Sequence, residues 1–86
     1  MTTNTLRVPI NVPDIGSESD EIRFVGWLIT EGDQVAKDDD LFEVETDKAV
    51  FVAGAESSGL AVKLESVTQG TIVKVGQTLG WIETNQ

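Results

Sequence analysis

Residues 19–48 and 57–86 of this chain are two renderings of one pattern. Sliding the sequence against itself by 38 residues brings Ser19, Thr30, Gly32, Val35, Leu41, Glu45 and Thr46 onto Ser57, Thr68, Gly70, Val73, Leu79, Glu83 and Thr84. Between these identities Ile22 falls on Leu60, Phe24 on Val62, Ile29 on Val67, Val44 on Ile82 and Asp47 on Asn85. Self-similarity at a fixed offset implies a single supersecondary unit used twice. The apolar phase also slips in both copies, from even positions (Ile22, Phe24; Leu60, Val62, Leu64) to odd ones (Ile29; Val67). One extra residue in each strand, a bulge, has this effect, and Gly26 stands where the first is expected.

The unit is built of strands. Arg7 to Val12 alternates, with Val8, Ile10 and Val12 on one face, and Pro9 inside the run marks an edge strand or a strand start. After a polar stretch from Asp14 to Glu21, strands are expected over Ile22–Ile29, Leu41–Glu45, Val50–Ala53, Leu60–Val67, Ile72–Val75 and Leu79–Glu83, with a turn at Glu31–Asp33. No segment carries apolar residues every three to four positions over ten or more residues with capping signals, so the fold class is all-β. Two half-sandwiches related by a pseudo-twofold would close into a flattened barrel without long exposed edges. One end would carry the Asp47–Lys48 hairpin tip, and the other its twin, Asn85–Gln86.

A length of 86 residues allows one domain, here 1–86. The absence of cysteine and histidine removes disulfides, cysteine- and histidine-based zinc sites, thiol nucleophiles and His-dependent triads. Fifteen acids against six bases give a net charge of −9, which opposes nucleic acid and anionic membranes as partners. The acids are spread through a chain that is 40% apolar, as on a solvated, folded surface. Neither a signal-like apolar run nor a stretch of about 18 apolar residues is present, and a soluble intracellular domain is expected, not a secreted one.

Lys48 is the residue that could carry chemistry. It sits with Asp47 in the short turn between Leu41–Thr46 and Ala49–Val52, and the chain's other lysines are Lys37, Lys63 and Lys74. A lone lysine at a tight apex among acids is a candidate modification site; an ordinary solvated turn lysine would look the same. The residues alone leave both readings open.

The motifs go further. Val12-Pro13-Asp14-Ile15-Gly16, Glu31-Gly32-Asp33-Gln34-Val35, Glu45-Thr46-Asp47-Lys48-Ala49, Gly59 and Val75-Gly76-Gln77-Thr78-Leu79 resemble the lipoyl domains of the dihydrolipoyl acyltransferase component of 2-oxo acid dehydrogenase complexes. The likeness runs from about Arg7 to Thr84, with Gly32 sixteen residues before Lys48 and Gly59 eleven after it. It implies a sandwich of two four-stranded antiparallel sheets, in a domain that is a carrier and not an enzyme. Lys48 would bear lipoic acid as an amide, which explains redox chemistry without cysteine, since the disulfide belongs to the cofactor. Glu45 and Gly59 match positions by which a lipoate ligase or lipoyl transferase identifies its lysine, and Asp47 and Ala49 flank it.

The resemblance also implies partners. A thiamine diphosphate-dependent 2-oxo acid decarboxylase would reductively acylate the arm, an acyltransferase core would pass the acyl group to coenzyme A, and dihydrolipoyl dehydrogenase would reoxidise the dithiol. These place the domain in bacterial cytoplasm or the mitochondrial matrix. Tethered visits need only weak docking. Glu18, Asp20 and Glu21, from the loop after the first strand, are expected to join Glu43, Glu45 and Asp47 in an acidic face read by the decarboxylase.

Two departures and two competitors complete the reading. Where the family often has Val-Pro-x-Pro, this chain has Ala53-Gly54-Ala55-Glu56, which should loosen that connection. Asp38-Asp39-Asp40 occupies a turn where glycine is common and is expected to be solvated charge. Trp27 and Trp81 are expected to serve packing or surface cover. A biotin carrier domain shares the displayed lysine but typically has methionine on both sides of it; an unmodified interaction module with the same fold is the other alternative.

Overall fold

In a computed structural model, residues 5–16 and 21–85 are described, and every regular element among them is a strand. β1 (Thr5–Asn11), β2 (Ile22–Trp27), β3 (Gln34–Val35), β4 (Asp40–Glu45), β5 (Val50–Gly54), β6 (Gly59–Leu64), β7 (Ile72–Val73) and β8 (Thr78–Asn85) form two antiparallel sheets, ordered β1-β8-β6-β3 and β5-β4-β2-β7. Each sheet is open, so the two form a sandwich and not a closed barrel. β1 is an edge strand, as Pro9 requires. Ile10, Ile22, Phe24, Leu41, Phe42, Val44, Leu79 and Ile82 fill the space between the sheets.

The duplication is visible bond by bond. The β4–β5 ladder (Glu45 opposite Val50, Val44 opposite Phe51, Glu43 opposite Val52) recurs between β8 and β1 (Glu83 opposite Arg7, Ile82 opposite Val8, Trp81 opposite Pro9). The loop bonds recur as well: Gly32 N–H donates to the Ala61 carbonyl as Gly70 N–H donates to that of Phe24.

The copies are nevertheless not superimposed by one offset. β4 maps onto β8 at 38 residues, but β2 maps onto β6 at 37: Arg23 and Leu60 face the twin residues Glu45 and Glu83, and Phe24 and Ala61 face Val44 and Ile82. The extra residue lies between Glu65 and Thr68. Ala61 is therefore the inward twin of Phe24 and is fully buried, whereas Leu60 points outward and is 37% exposed. The offset of 38 sets Leu60 on Ile22 and Val62 on Phe24, with the apolar phase on even positions. Register against β8 decides instead.

β2 and β6 each carry a bulge, the first at Val25, one residue before the expected Gly26, and the second at Val62. Beyond it Trp27 and Leu64 turn inward against the core. Trp27 packs edge-on to Phe24 and Phe42, with centroids 5.7 and 5.3 Å apart, and its Nε1–H donates to the Glu65 carbonyl at 3.0 Å. Trp81, opposite Pro9 and Lys63, is half-buried on the outer face. β3, absent from the sequence reading, is the two-residue twin of β7, which that reading did find.

The aspartate run is more than solvated charge. Asp38 has φ +76°, matching its twin Gly76 at +84°, and the Asp39 carboxylate accepts the Ala36 N–H at 2.8 Å as the Gln77 side chain accepts that of Lys74 at 3.0 Å. Asp38 N–H and Ala55 N–H donate to the Ala55 and Asp39 carbonyls, so the proline-free connection is tied in the folded state. Its looseness belongs to the unfolded chain. A non-glycine residue in the left-handed region carries strain that glycine does not. Asp38→Gly is expected to stabilise the fold by about 0.5–1 kcal/mol, read as a higher urea midpoint at unchanged slope.

Candidate functional site

The β4–β5 hairpin closes through Thr46, whose N–H donates to the Ala49 carbonyl at 2.9 Å. The Thr46 side chain is buried, with 5% of the residue exposed, and its Oγ1 accepts the Lys48 N–H at 3.2 Å. The turn is thus fastened from inside while Asp47, Lys48 and Ala49 stand exposed. Among the described residues, the Lys48 ammonium enters no salt bridge.

The neighbouring acids are differently placed. Arg23 lies opposite Glu45 in the β2–β4 ladder. Its Nη2–H donates to Asp47 Oδ1 at 3.2 Å, its Nε stands 3.6 Å from Glu45 Oε1, and its Nη1 stands 3.7 Å from Glu21 Oε2. The hydrogen bond to Asp47, with the charges of Asp47 and Glu45, outweighs partial desolvation and holds the guanidinium in its charged form more firmly than in free arginine. On the same outer row, Val50 flanks the pair on one side and Ile72 on the other, each more than half exposed.

Of the residues expected at the site, Glu21, Glu45, Asp47, Lys48 and Ala49 are brought together. Glu18 and Asp20 lie outside the described residues. Glu43 is half-buried on the outer face opposite Gly26 and Val52, without an ion pair among the described residues. Gly59 is not near the apex. It begins β6 on the other sheet, beyond the full length of β5, where Ser58 Oγ accepts the Lys37 N–H at 2.9 Å. A Cβ on Gly59 would come within 2.3 Å of the Glu83 carbonyl oxygen, so glycine is required there by the β8 backbone.

Sequence reasoning missed Arg23 and Thr46. Thr46 had a signal, because it is one of the seven repeat identities. Arg23 had none: its alignment with Glu45 depends on the β2–β4 register. The arrangement offers a primary amine, exposed and without an ion partner among the described residues, on a backbone fixed from below. Such an amine can be acylated, and amide formation removes the one positive charge in the turn.

A duplicated two-sheet sandwich that presents a lone lysine at a hairpin apex is suited to carrying a covalently attached group. The chain belongs to the biotin/lipoyl attachment family, described as biotin-requiring enzyme, which matches residues 8–82. Domains of this family are non-catalytic carriers of lipoate or biotin. The chain is 40% identical over 68 residues to the dihydrolipoyllysine-residue acetyltransferase component of the pyruvate dehydrogenase complex of Bacillus subtilis, covering 79% of this chain and 15% of that protein. It is 36% identical over 77 residues to the dihydrolipoyllysine-residue succinyltransferase component of the 2-oxoglutarate dehydrogenase complex of Rickettsia conorii, covering 90% and 19%. The chain thus spans less than a fifth of the length of either protein.

Two substitutions separate packing from display. Gly59→Ala is expected to cost about 2–3 kcal/mol, whereas Gly26→Ala, whose Cβ would enter open space, holds stability or gains up to about 1 kcal/mol. Urea unfolding followed by Trp27 and Trp81 fluorescence measures both. Thr46→Val keeps the shape but removes the acceptor for the Lys48 N–H, and is expected to cost about 0.5–1.5 kcal/mol in the same assay.

Proposed function

We propose that this domain is a lipoyl carrier of a 2-oxo acid dehydrogenase complex and that Lys48 is the residue that bears lipoate. The observation that carries the reading is the apex itself: an exposed lysine with no ion partner among the described residues, at the position where the Glu-Thr-Asp-Lys-Ala motif puts it. The residues fit the group. Amide formation needs only an accessible amine, and the Lys48 side chain has solvent around it instead of protein.

Bound lipoate supplies a dithiolane able to take up electrons and an acyl group; this chain supplies position. Thr46 holds the turn, Arg23 holds Glu45 and Asp47, and the lysine's methylenes extend from a fixed Cα. In a larger assembly the domain would present that arm in turn to a thiamine diphosphate-dependent decarboxylase, an acyltransferase core and dihydrolipoyl dehydrogenase. Glu18, Asp20, Glu21, Glu43, Glu45 and Asp47 would contribute to weak, electrostatically steered docking on the decarboxylase. The acyltransferase components named above support this setting. Biotin attachment is disfavoured by Asp47 and Ala49, which stand where biotin carriers typically have methionine.

Intact mass after incubation with a lipoate ligase, lipoic acid and ATP tests the assignment. One lipoyl addition is expected on the wild-type domain and none on Lys48→Ala. A folded wild-type domain that stays unmodified would overturn the reading, and incubation with a biotin ligase and biotin would then be the next measurement.

A further inference from the structure

Arg23 is the one base among the described residues that reaches the acids of the hairpin, and it reaches three of them: Glu21 just before its own strand, Glu45 at the end of β4 and Asp47 in the turn. We propose that Arg23 is a positioning residue for acylation of Lys48, its guanidinium drawing Asp47 and Glu45 toward β2 and so keeping these two carboxylates from pairing with the neighbouring amine. This deepens the reading above and rests on Lys48 being the modified residue.

The argument is one of competition. Asp47 adjoins Lys48 in sequence and its side chain is 81% exposed, so without Arg23 it would be free to swing toward the ammonium. An ammonium beside a carboxylate keeps its proton, and a protonated amine is no nucleophile. Acylation requires the neutral Nζ. Its lone pair forms the C–N bond to the carbonyl carbon of an activated carboxylic acid, here an acyl adenylate; the C–O bond to phosphate breaks, its electron pair leaves on adenylate, and the surplus amine proton passes to water. Arg23 acts here by competition, engaging carboxylates that could otherwise pair with the ammonium.

The described charges around the apex enter this balance: Glu45 from β4, with Glu43 two residues further from the turn on the same face, Asp47 from the turn, and Arg23 and Glu21 from β2 and its approach. β5 contributes uncharged Val50 and Val52. Three different guanidinium nitrogens meet the three acids, one by a hydrogen bond at 3.2 Å and two as ion pairs at 3.6 and 3.7 Å, so what the position supplies is above all a positive charge. The twin position is Leu60, and there Glu83 takes its cation from the opposite neighbour, with Arg7 Nε at 3.5 Å. The duplicated unit therefore does not itself demand a base at position 23.

The test uses the domain without any ligase. Acylation of each lysine by the N-hydroxysuccinimide ester of acetate is followed across pH by peptide mass, with Lys63 on the other sheet as internal reference. In Arg23→Gln and in the strand-favouring Arg23→Thr, the Lys48 profile is expected to shift to higher pH by about 0.3–0.5 units, a two- to threefold slower reaction on its acid side. The Lys63 profile stays in place, Arg23→Lys keeps the wild-type Lys48 profile, and about 1 M salt, where the screening length is near 3 Å, closes the gap. A folded neutral variant whose Lys48 profile does not move would overturn the proposal, as would a loss of rate that is uniform with pH or shared by Lys63. Lipoylation by the ligase, measured in parallel, separates the two claims: failure there sinks the carrier reading, while the small-ester profile still decides the role of Arg23.

Discussion

Alternation of inward and outward side chains is broken at Val25 in β2 and Val62 in β6, and again at the twin residues Leu41 in β4 and Leu79 in β8, and the inward face of the sandwich is set by these breaks. With strict alternation, a strand that buries Phe24 would expose Trp27, and one that buries Ala61 would expose Leu64. The extra residues Val25 and Val62 let both members of each pair face the core while Arg23 and Lys63 face solvent. On the apex side of the β2 break the register lays Arg23 against Glu45, so core packing and the electrostatics of the hairpin meet in one strand.

The two halves use this shared backbone unequally. The first puts Phe24, Trp27 and Phe42 into a mutually packed aromatic group; the second has Ala61, Leu64 and Gly80 at the equivalent places. Gly80 and Gly59 lack side chains because neighbouring backbone comes too close: a Cβ on Gly80 would lie 2.6 Å from the Lys63 carbonyl oxygen. Duplication supplied the topology, and divergence of side chains made one half bulky and the other tight. The asymmetry extends to the hairpin ends, where Val50 and Val52 on β5 correspond to Arg7 and Pro9 on β1.

Much of this was legible in the sequence, and the failures have physical reasons. The strands, the bulges and the displayed lysine follow from periodicity, from the repeat and from turn chemistry, all local signals. The inward face of β6 did not follow. Small Ala61 carries a weaker apolar signal than Leu60 or Val62, and only pairing with Ile82 reveals which face is covered. β3 was too short to show a period, although Val35 matched Val73 in the repeat and could have been inferred from it. Asp38 read as a charge because left-handed backbone leaves no mark on an aspartate in sequence. Arg23 was invisible as a site residue because its hairpin partners, Glu45 and Asp47, lie 22 and 24 positions away, across a register no local rule provides.

The buried threonine beneath the turn has a mechanical corollary. With Thr46 bonded to Ala49 through the main chain and to the Lys48 N–H through its hydroxyl, the lysine's Cα behaves as a fixed pivot. Anything joined to Nζ then has only two ways to travel: rotation about the side chain's own single bonds, on the picosecond to nanosecond scale, or tumbling of the entire domain. Reach and timing are therefore divided, with short, fast excursions belonging to the side chain and longer ones to movement of the whole domain.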